Sequence, residues 1–108
     1  MNTYLLLIFL HQEVLIRICF KFCACIGDSL AYSNGHRFTT KDQDNDISDG
    51  QCAHYFKGAW WYAACLRSNL NGLYLGGVHA TMADGIEWTT WTGFYYSLKS
   101  TKMMIRRM

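Results

Sequence analysis

Residues 42–65 read DQDNDISDGQCAHYFKGAWWYAAC, an acidic segment followed by an aromatic segment between two cysteines. Asp42, Asp44 and Asp46 alternate with other residues, and no hydrophobic periodicity runs through 41–51. A curling loop can turn alternate carboxylates inward and add main-chain carbonyls, which suits a hard cation that takes about six to eight oxygen ligands. Because like charges held together repel unless a cation lies between them, this spacing predicts a calcium-binding loop.

The acidic segment has three other interpretations. An EF-hand is excluded, because its turn glycine would fall at Ile47 and its bidentate glutamate at Ala53. A solvated turn without metal stays open, since Asp and Asn are common in loops for local hydrogen bonding. Magnesium fits less well than calcium because it prefers octahedral sites that retain water.

The chain has five cysteines, which is a high count for its length. Their spacing does not form the paired C-x-x-C pattern of a zinc site, so a disulfide in an oxidising compartment is the better interpretation. Cys52 and Cys65 close a loop of about 13 residues, and a bridge there would restrict the unfolded chain by about 3 kcal/mol. Two buried free thiols are the alternative.

Length and charge exclude several classes of protein. A chain of 108 residues holds one small domain, and its 16% aromatic and 17% charged residues favour a packed core over disorder. The net charge of +2 is too small for a nucleic-acid-binding surface. None of the four histidines stands in a nucleophile or metallohydrolase motif, so we expect a protein that is not an enzyme. These histidines are His11, His36, His54 and His79.

Short strands and turns dominate the pattern, and no amphipathic helix of ten or more residues is predicted. Asn71-Gly72 is a hairpin turn signal. The apolar segment Ala59–Ala64 is predicted to be buried. Strand composition occurs at residues 16–22, 73–75, 86–91, 94–99 and 101–106.

The first 26 residues differ in texture from the rest. Tyr4–Leu10 is an apolar run at the lower limit for a signal-peptide core, with no basic residue before it. Either a signal peptide or a non-native start accounts for it. Charged residues between His11 and Lys21 interrupt any longer run, so no membrane span is expected.

Several further stretches, in this order and spacing, resemble the fibrinogen-related domains, closest to the tachylectin-5 and ficolin type. The resemblance covers Gly27–Arg107, and we therefore divide the chain into an unmatched segment 1–26 and a partial domain 27–108. The matching stretches are GDSLAY at 27–32, FTTKDQDND at 38–46, KGAWWY at 57–62, CLRSNLNG at 65–72, GIEW at 85–88 and YSLK at 96–99.

The resemblance implies an α+β fold with irregular loops and few short strands, of which this chain holds the calcium and pocket portion in truncated form. It covers less than half of a full family domain. The strands that would pair with Thr101–Ile105 are expected to be missing, which would leave an exposed edge. Cys19, Cys23 and Cys25 have no family counterpart, and their pairing is left open.

The resemblance also implies the site residues. It places the disulfide at Cys52–Cys65 and a cis peptide bond at Ala64–Cys65. The implied calcium ligands are the side chains of Asp44 and Asp46 and the carbonyls of Ser48 and Gly50. The implied acetyl-binding pocket is lined by Phe56, Cys65, Leu66, Met82, Ala83 and Phe94.

This chain departs from the acetyl-binding members in the pocket. Those members carry tyrosine at the positions of Phe56, Met82 and Phe94 and histidine at Leu66, so the side-chain donors are absent here. The backbone N–H of Cys65 would remain for an acetyl oxygen, and an apolar wall can still accept a methyl group.

The implied function is that of a secreted, extracellular, calcium-supported lectin-like module of innate immunity. Its partners would be acetylated glycans or glycoproteins on microbial surfaces, with a homo-oligomer as a further possibility and no nucleic acid. The alternative is a truncated structural or interaction domain that keeps the calcium loop and disulfide but has lost sugar binding.

Overall fold

A computed structural model of the chain describes the backbone of residues 4–12, 14–18 and 27–107, and the side chains of residues 27–103. The strand predicted at 16–22 overlaps a strand as far as Ile18. The rest of that prediction, and the pairing of Cys19, Cys23 and Cys25, lie outside the described residues.

Seven strands and two short helices are present in the described part of the chain. The helices are α1 (Cys52–Phe56) and α2 (Thr89–Thr92), and a turn of 3-10 helix covers Ala31–Ser33. The described residues form no helix of ten or more residues, in agreement with the sequence, which has no amphipathic repeat of that length. The strands are β1 (Tyr4–Gln12), β2 (Val14–Ile18), β3 (Ser68–Asn69), β4 (Gly77–Val78), β5 (Glu87–Trp88), β6 (Tyr96–Ser97) and β7 (Ser100–Arg107).

The three longest strands form an antiparallel sheet in the order β2-β1-β7. Strand β1 lies in the centre and pairs with the whole of β7, from Tyr4 opposite Arg107 to His11 opposite Ser100. The expectation that Thr101–Ile105 would have no strand partner is therefore wrong. The apolar run Tyr4–Leu10 supplies that partner, because an apolar strand next to the β-prone C-terminal segment satisfies the backbone groups of both.

The short strands form two further antiparallel pairs, β3 with β5 and β4 with β6. Asn71 and Gly72 do form a turn, but the hairpin predicted around it is wrong. After the turn, Leu73 makes a single parallel bridge with Gly85, while β3 pairs with a strand 18 residues further along the chain. The segment predicted as a strand at 86–91 forms a strand only at Glu87–Trp88, and α2 begins at the next residue, Thr89.

The hydrophobic core lies beneath the irregular loops between the short strands. Trp60, Tyr62, Trp88 and Leu98 have no exposed surface. The burial predicted for Ala59–Ala64 holds for Trp60, Tyr62 and Ala63. Trp61 is 36% exposed, because an extended segment turns it to the side opposite Trp60 and Tyr62. A bridge between Thr39 and Trp60 joins this aromatic segment to the chain that leads into the acidic loop.

Candidate functional site

The acidic segment between residues 41 and 51 is a loop, as predicted, and its side chains hold its own backbone. The Asp44 carboxylate accepts the N–H of Asp46 at 3.1 Å, and the Asp46 carboxylate accepts the N–H of Ser48 at 3.1 Å. The Ser48 hydroxyl accepts the N–H of Gly50 at 3.2 Å. These successive turns bend the loop so that Asp44 and Asp46 are close enough to influence each other electrostatically.

Asp46 is the residue that joins this loop to the cysteine bridge. Its second carboxylate oxygen accepts the N–H of Cys52 at 3.0 Å, at the first residue of α1. Partial burial raises the pKa of Asp46, and the neighbouring Asp44 adds to the rise, while the N–H groups of Cys52 and Ser48 lower it in part. A cation between the two carboxylates would relieve their repulsion.

Asp42 and Asp49 stand apart from this arrangement. Asp42 is exposed and accepts the hydroxyl proton of Thr40 at 2.6 Å, and this hydrogen bond lowers the pKa of Asp42. Asp49 is also exposed.

The donor set of the loop fits calcium. The carbonyl oxygens of Ser48 and Gly50 accept no hydrogen bond from the described part of the chain, so they are available as ligands. A carboxylate has about four lone-pair sites, so Asp46 keeps acceptor capacity beyond its two N–H partners. Residues 27–103 contain no group of three or more His, Cys, Asp or Glu side chains that could hold a metal ion. Asp44 and Asp46 would therefore need main-chain oxygens, which are ligands that calcium accepts.

The predicted disulfide between Cys52 and Cys65 is present. Cys52 has no exposed surface and Cys65 is half-buried. A second connection runs beside the bridge, because the N–H of Ile47 donates to the carbonyl of Ala63 at 3.2 Å. The peptide bond between Ala64 and Cys65 is cis, in agreement with what the resemblance implies. The acidic loop is thus attached to both sides of the bridge.

The residues expected to line a pocket lie against one part of the core. Leu66 and Ala83 are buried, and Phe56, Cys65 and Phe94 are partly buried against the same cluster. Met82 differs, since it is 53% exposed and therefore lies at the outer rim. The N–H of Ala83 donates to the carbonyl of Phe94 at 2.7 Å, so these two segments are held together.

The backbone N–H of Cys65 donates no hydrogen bond to the described part of the chain. It lies between the disulfide and the buried Leu66. The arrangement offers one backbone donor beside an apolar surface, which is the kind of site that binds a small group with a carbonyl and a methyl. Of the expected lining side chains, Phe56, Leu66, Met82 and Phe94 carry no hydrogen-bond donor.

A buried polar cluster formed by His79, Asp84 and Glu87 was not predicted from the sequence. His79 Nε2 lies 2.5 Å from Glu87 Oε1, and His79 Nδ1 lies 3.8 Å from the Asp84 carboxylate. Glu87 has no exposed surface, and burial raises the pKa of its carboxyl, although the contact with His79 opposes the rise. Strand pairing places Glu87 opposite Asn69 on β3. No spacing rule in the sequence connects Glu87 with Asn69, because residues 70–86 separate β3 from β5.

His54 contacts the acidic loop. One of its ring nitrogens lies 2.9 Å from the carbonyl of Lys41, at the start of the acidic loop. His54 is exposed. It therefore helps to attach α1 to the loop and has no contact that indicates chemistry.

Residues 15–108 match the family described as fibrinogen beta and gamma chains, C-terminal globular domain. The chain belongs to this family. Its fold is the fibrinogen-like globe, here with few short strands and two short helices. The fibrinogen-like globe domain of human ANGPTL2 has a TM-score of 0.85 and 36% sequence identity with it. That comparison covers 97% of this chain and 58% of the ANGPTL2 chain.

Curated relatives in this family share higher identity. Fibrinogen C domain-containing protein 1 of Xenopus tropicalis is 61% identical over 80 residues, which is 74% of this chain and 18% of the relative. Techylectin-5A of Tachypleus tridentatus is 52% identical over 80 residues, which is 74% of this chain and 27% of the relative. The chain thus spans about a fifth to a quarter of the length of these two proteins. The fibrinogen-like domains therefore include a relative that is named as a lectin.

Fibrinogen-like domains are typically non-enzymatic binding modules. Among the residues that the structure describes, no helix is long and apolar enough to cross a membrane.

Proposed function

We propose that this chain is a calcium-supported lectin-like recognition module that binds acetylated glycans. The observation that carries the proposal is the backbone N–H of Cys65, which donates no hydrogen bond within the described part of the chain. Cys65 packs against the same core cluster as Leu66, Ala83 and Phe94, in a segment attached to the acidic loop. The acetyl carbonyl would accept the Cys65 N–H, and the acetyl methyl would pack on the apolar surface. Calcium would be held by Asp44 and Asp46.

Calcium would act on the binding site through two contacts. Asp46 is bonded to the N–H of Cys52, and Ile47 is bonded to Ala63, so the loop holds both ends of the segment that precedes Cys65. A cation that orders the loop would therefore order this segment as well. Its contribution is structural, because it strengthens a preformed site rather than contacting the sugar.

The expected partners are acetylated glycans or glycoproteins on microbial surfaces, and the expected role is in innate immunity. A similarity to Techylectin-5A supports a lectin role. The Cys52–Cys65 bridge supports an extracellular, secreted location, since disulfides persist in oxidising compartments. A homo-oligomer would raise avidity for a repeated glycan, because linked sites convert later binding events into intramolecular ones.

A second function is favoured by one observation. Four lining positions carry a side-chain donor in the acetyl-binding members and have none here, so an acetyl group would be hydrogen-bonded by the backbone alone. These positions are Phe56, Leu66, Met82 and Phe94. Each lost hydrogen bond to a ligand costs about 0.5–1.5 kcal/mol. On this reading the chain is a structural or interaction domain that keeps the calcium loop and the disulfide without sugar binding.

Binding of the whole chain to acetylated serum albumin on a biosensor surface separates these functions. Unmodified albumin is the control surface, and free N-acetylglucosamine competes against free glucosamine. Acetyl-specific binding that EDTA abolishes supports the lectin. Thermal stabilisation by Ca²⁺ without acetyl-specific binding supports the structural domain, and the absence of both effects refutes the two proposals together.

A further inference from the structure

Asn69 is a fully buried amide that is bonded to two segments carrying predicted pocket residues. Its carbonyl oxygen accepts the hydroxyl proton of Tyr62 at 2.5 Å. Its Nδ2 lies 2.8 Å from the carbonyl of Phe56, 3.1 Å from that of Ala83 and 3.3 Å from that of Gly85. An amide nitrogen has two N–H groups, so the two shortest contacts, to Phe56 and Ala83, are the principal ones.

These two carbonyls belong to separate walls of the proposed acetyl site. Phe56 ends α1, and Ala83 lies in the loop before β5. In the described part of the chain, neither carbonyl receives a hydrogen bond from any group except Asn69. A buried carbonyl without a partner is destabilising, so both walls depend on this one side chain for that hydrogen bond.

The backbone beside both carbonyls adopts a conformation that L-residues rarely take. Lys57 has φ 65° and Ala83 has φ 59°, and among the described residues these are the non-glycine residues with positive φ. Such left-handed residues are destabilising and persist only where the surroundings hold them. Asn69 is bonded at both places, to the carbonyl before Lys57 and to that of Ala83 itself.

The backbone at Gly58 and Gly72 lies directly against the Asn69 side-chain amide. A Cβ atom at Gly58 would lie 2.8 Å from Asn69 Oδ1, and one at Gly72 would lie 2.7 Å from Asn69 Nδ2 and 2.1 Å from the carbonyl of Gly85. Both glycines are needed because other residues would push the backbone away from the amide. A side chain of other dimensions at position 69 would therefore displace this backbone.

We propose that Asn69 is a positioning residue for the acetyl site, whose amide sets the distance between the Phe56 wall and the Ala83 wall. This inference rests on the proposed lectin function, since the affinity for an acetyl group is what the spacing would control. Asn69 has no exposed surface, so it would act through the two walls without contacting the ligand.

Asn69→Asp tests this role, because it keeps the shape and the acceptor for Tyr62 while removing the amide N–H groups. Tyr62→Phe is the matched control, since it removes the other hydrogen bond of Asn69 and leaves both wall contacts intact. We expect Asn69→Asp to weaken binding to acetylated albumin about tenfold or more, which corresponds to about 1.4 kcal/mol. We expect Tyr62→Phe to lower the melting temperature while affinity stays within about twofold, because it leaves the amide donors in place. Equal affinity in Asn69→Asp and the wild type would overturn the proposal.

Hydrogen exchange measured on the same proteins gives a readout that is independent of ligand. Asn69→Asp should speed exchange around Lys57 and Ala83 at temperatures where Tyr62→Phe does not. Asn69→Leu serves as the second variant if Asn69→Asp fails to fold, since it keeps the volume without burying a carboxyl. If the wild type does not bind acetylated albumin, the proposed function and the role in affinity are both refuted. Unchanged exchange at the two walls, in a wild type that does bind, refutes the positioning role alone.

Discussion

Replacement of Asp46 by Asn tests the link between the acidic loop and the cysteine bridge. Without calcium, the variant keeps one side-chain carbonyl, so either Ser48 or Cys52 loses its acceptor. Loss of one such partner costs about 1–3 kcal/mol. The substitution also removes the repulsion with Asp44 that contributes to the raised pKa of Asp46, which offsets part of the cost. We therefore expect the calcium-free variant to be about 1 kcal/mol less stable than the wild type.

With calcium, the difference between the two proteins becomes much larger. At a calcium concentration about 100 times the dissociation constant, binding stabilises the wild type by about 2.7 kcal/mol. For a domain of this size that is a rise of about 10–20 °C in melting temperature. Loss of a residue that supports a metal ligand typically weakens binding about 10- to 100-fold, so loss of a ligand itself weakens it at least 100-fold. The calcium-dependent rise in Asp46→Asn should then be about 3 °C or less.

The assay is thermal unfolding followed by circular dichroism, with calcium titrated into protein that has been treated with chelator. Asp49→Asn is the matched control, because it removes the same charge from an exposed side chain in the same loop. The control should keep the full calcium-dependent rise. An equal rise in Asp46→Asn and Asp49→Asn would refute the assignment of Asp46 as a ligand, and no rise in the wild type would refute the calcium site altogether.

Three further results are expected. Reduction of the Cys52–Cys65 bridge should lower the free energy of unfolding by about 3 kcal/mol in a urea titration, because it opens a loop with a sequence separation of 13; an unchanged midpoint would contradict this. Burial raises the folded-state pKa of Glu87 above its ordinary value of 4.5, so its contribution to stability is present below pH 4.5 and is lost as pH rises through the folded pKa. Glu87→Gln should therefore flatten the dependence of unfolding free energy on pH above 4.5, as measured by urea titration at several pH values. Met82→Tyr, at an exposed rim where a ring can fit, should tighten binding of acetylated albumin about two- to tenfold by adding a hydroxyl donor, and weaker binding would speak against Met82 at the rim.

Features that depend on neighbouring residues in the chain were predictable. The loop at 41–51, the turn at Asn71-Gly72 and the lack of long helices follow from local composition, because turn residues and hydrophobic period act over a few positions. The Cys52–Cys65 bridge was also predicted, from the high cysteine count without a zinc pattern and from the resemblance to the fibrinogen-related domains.

Pairings between distant segments were decided by tertiary packing. The partner of β7 is the N-terminal strand β1, and the partner of β3 is β5 rather than the residues after the nearby turn. Strand composition states only that a segment prefers to pair, while the choice of partner depends on burial of both faces. For the same reason the buried contacts of Asn69 with Phe56 and Ala83 have no signature in the sequence. The spacing of Asp44 and Asp46 predicts that their carboxylates lie close together. The backbone N–H groups that they accept depend on how the loop packs against the core.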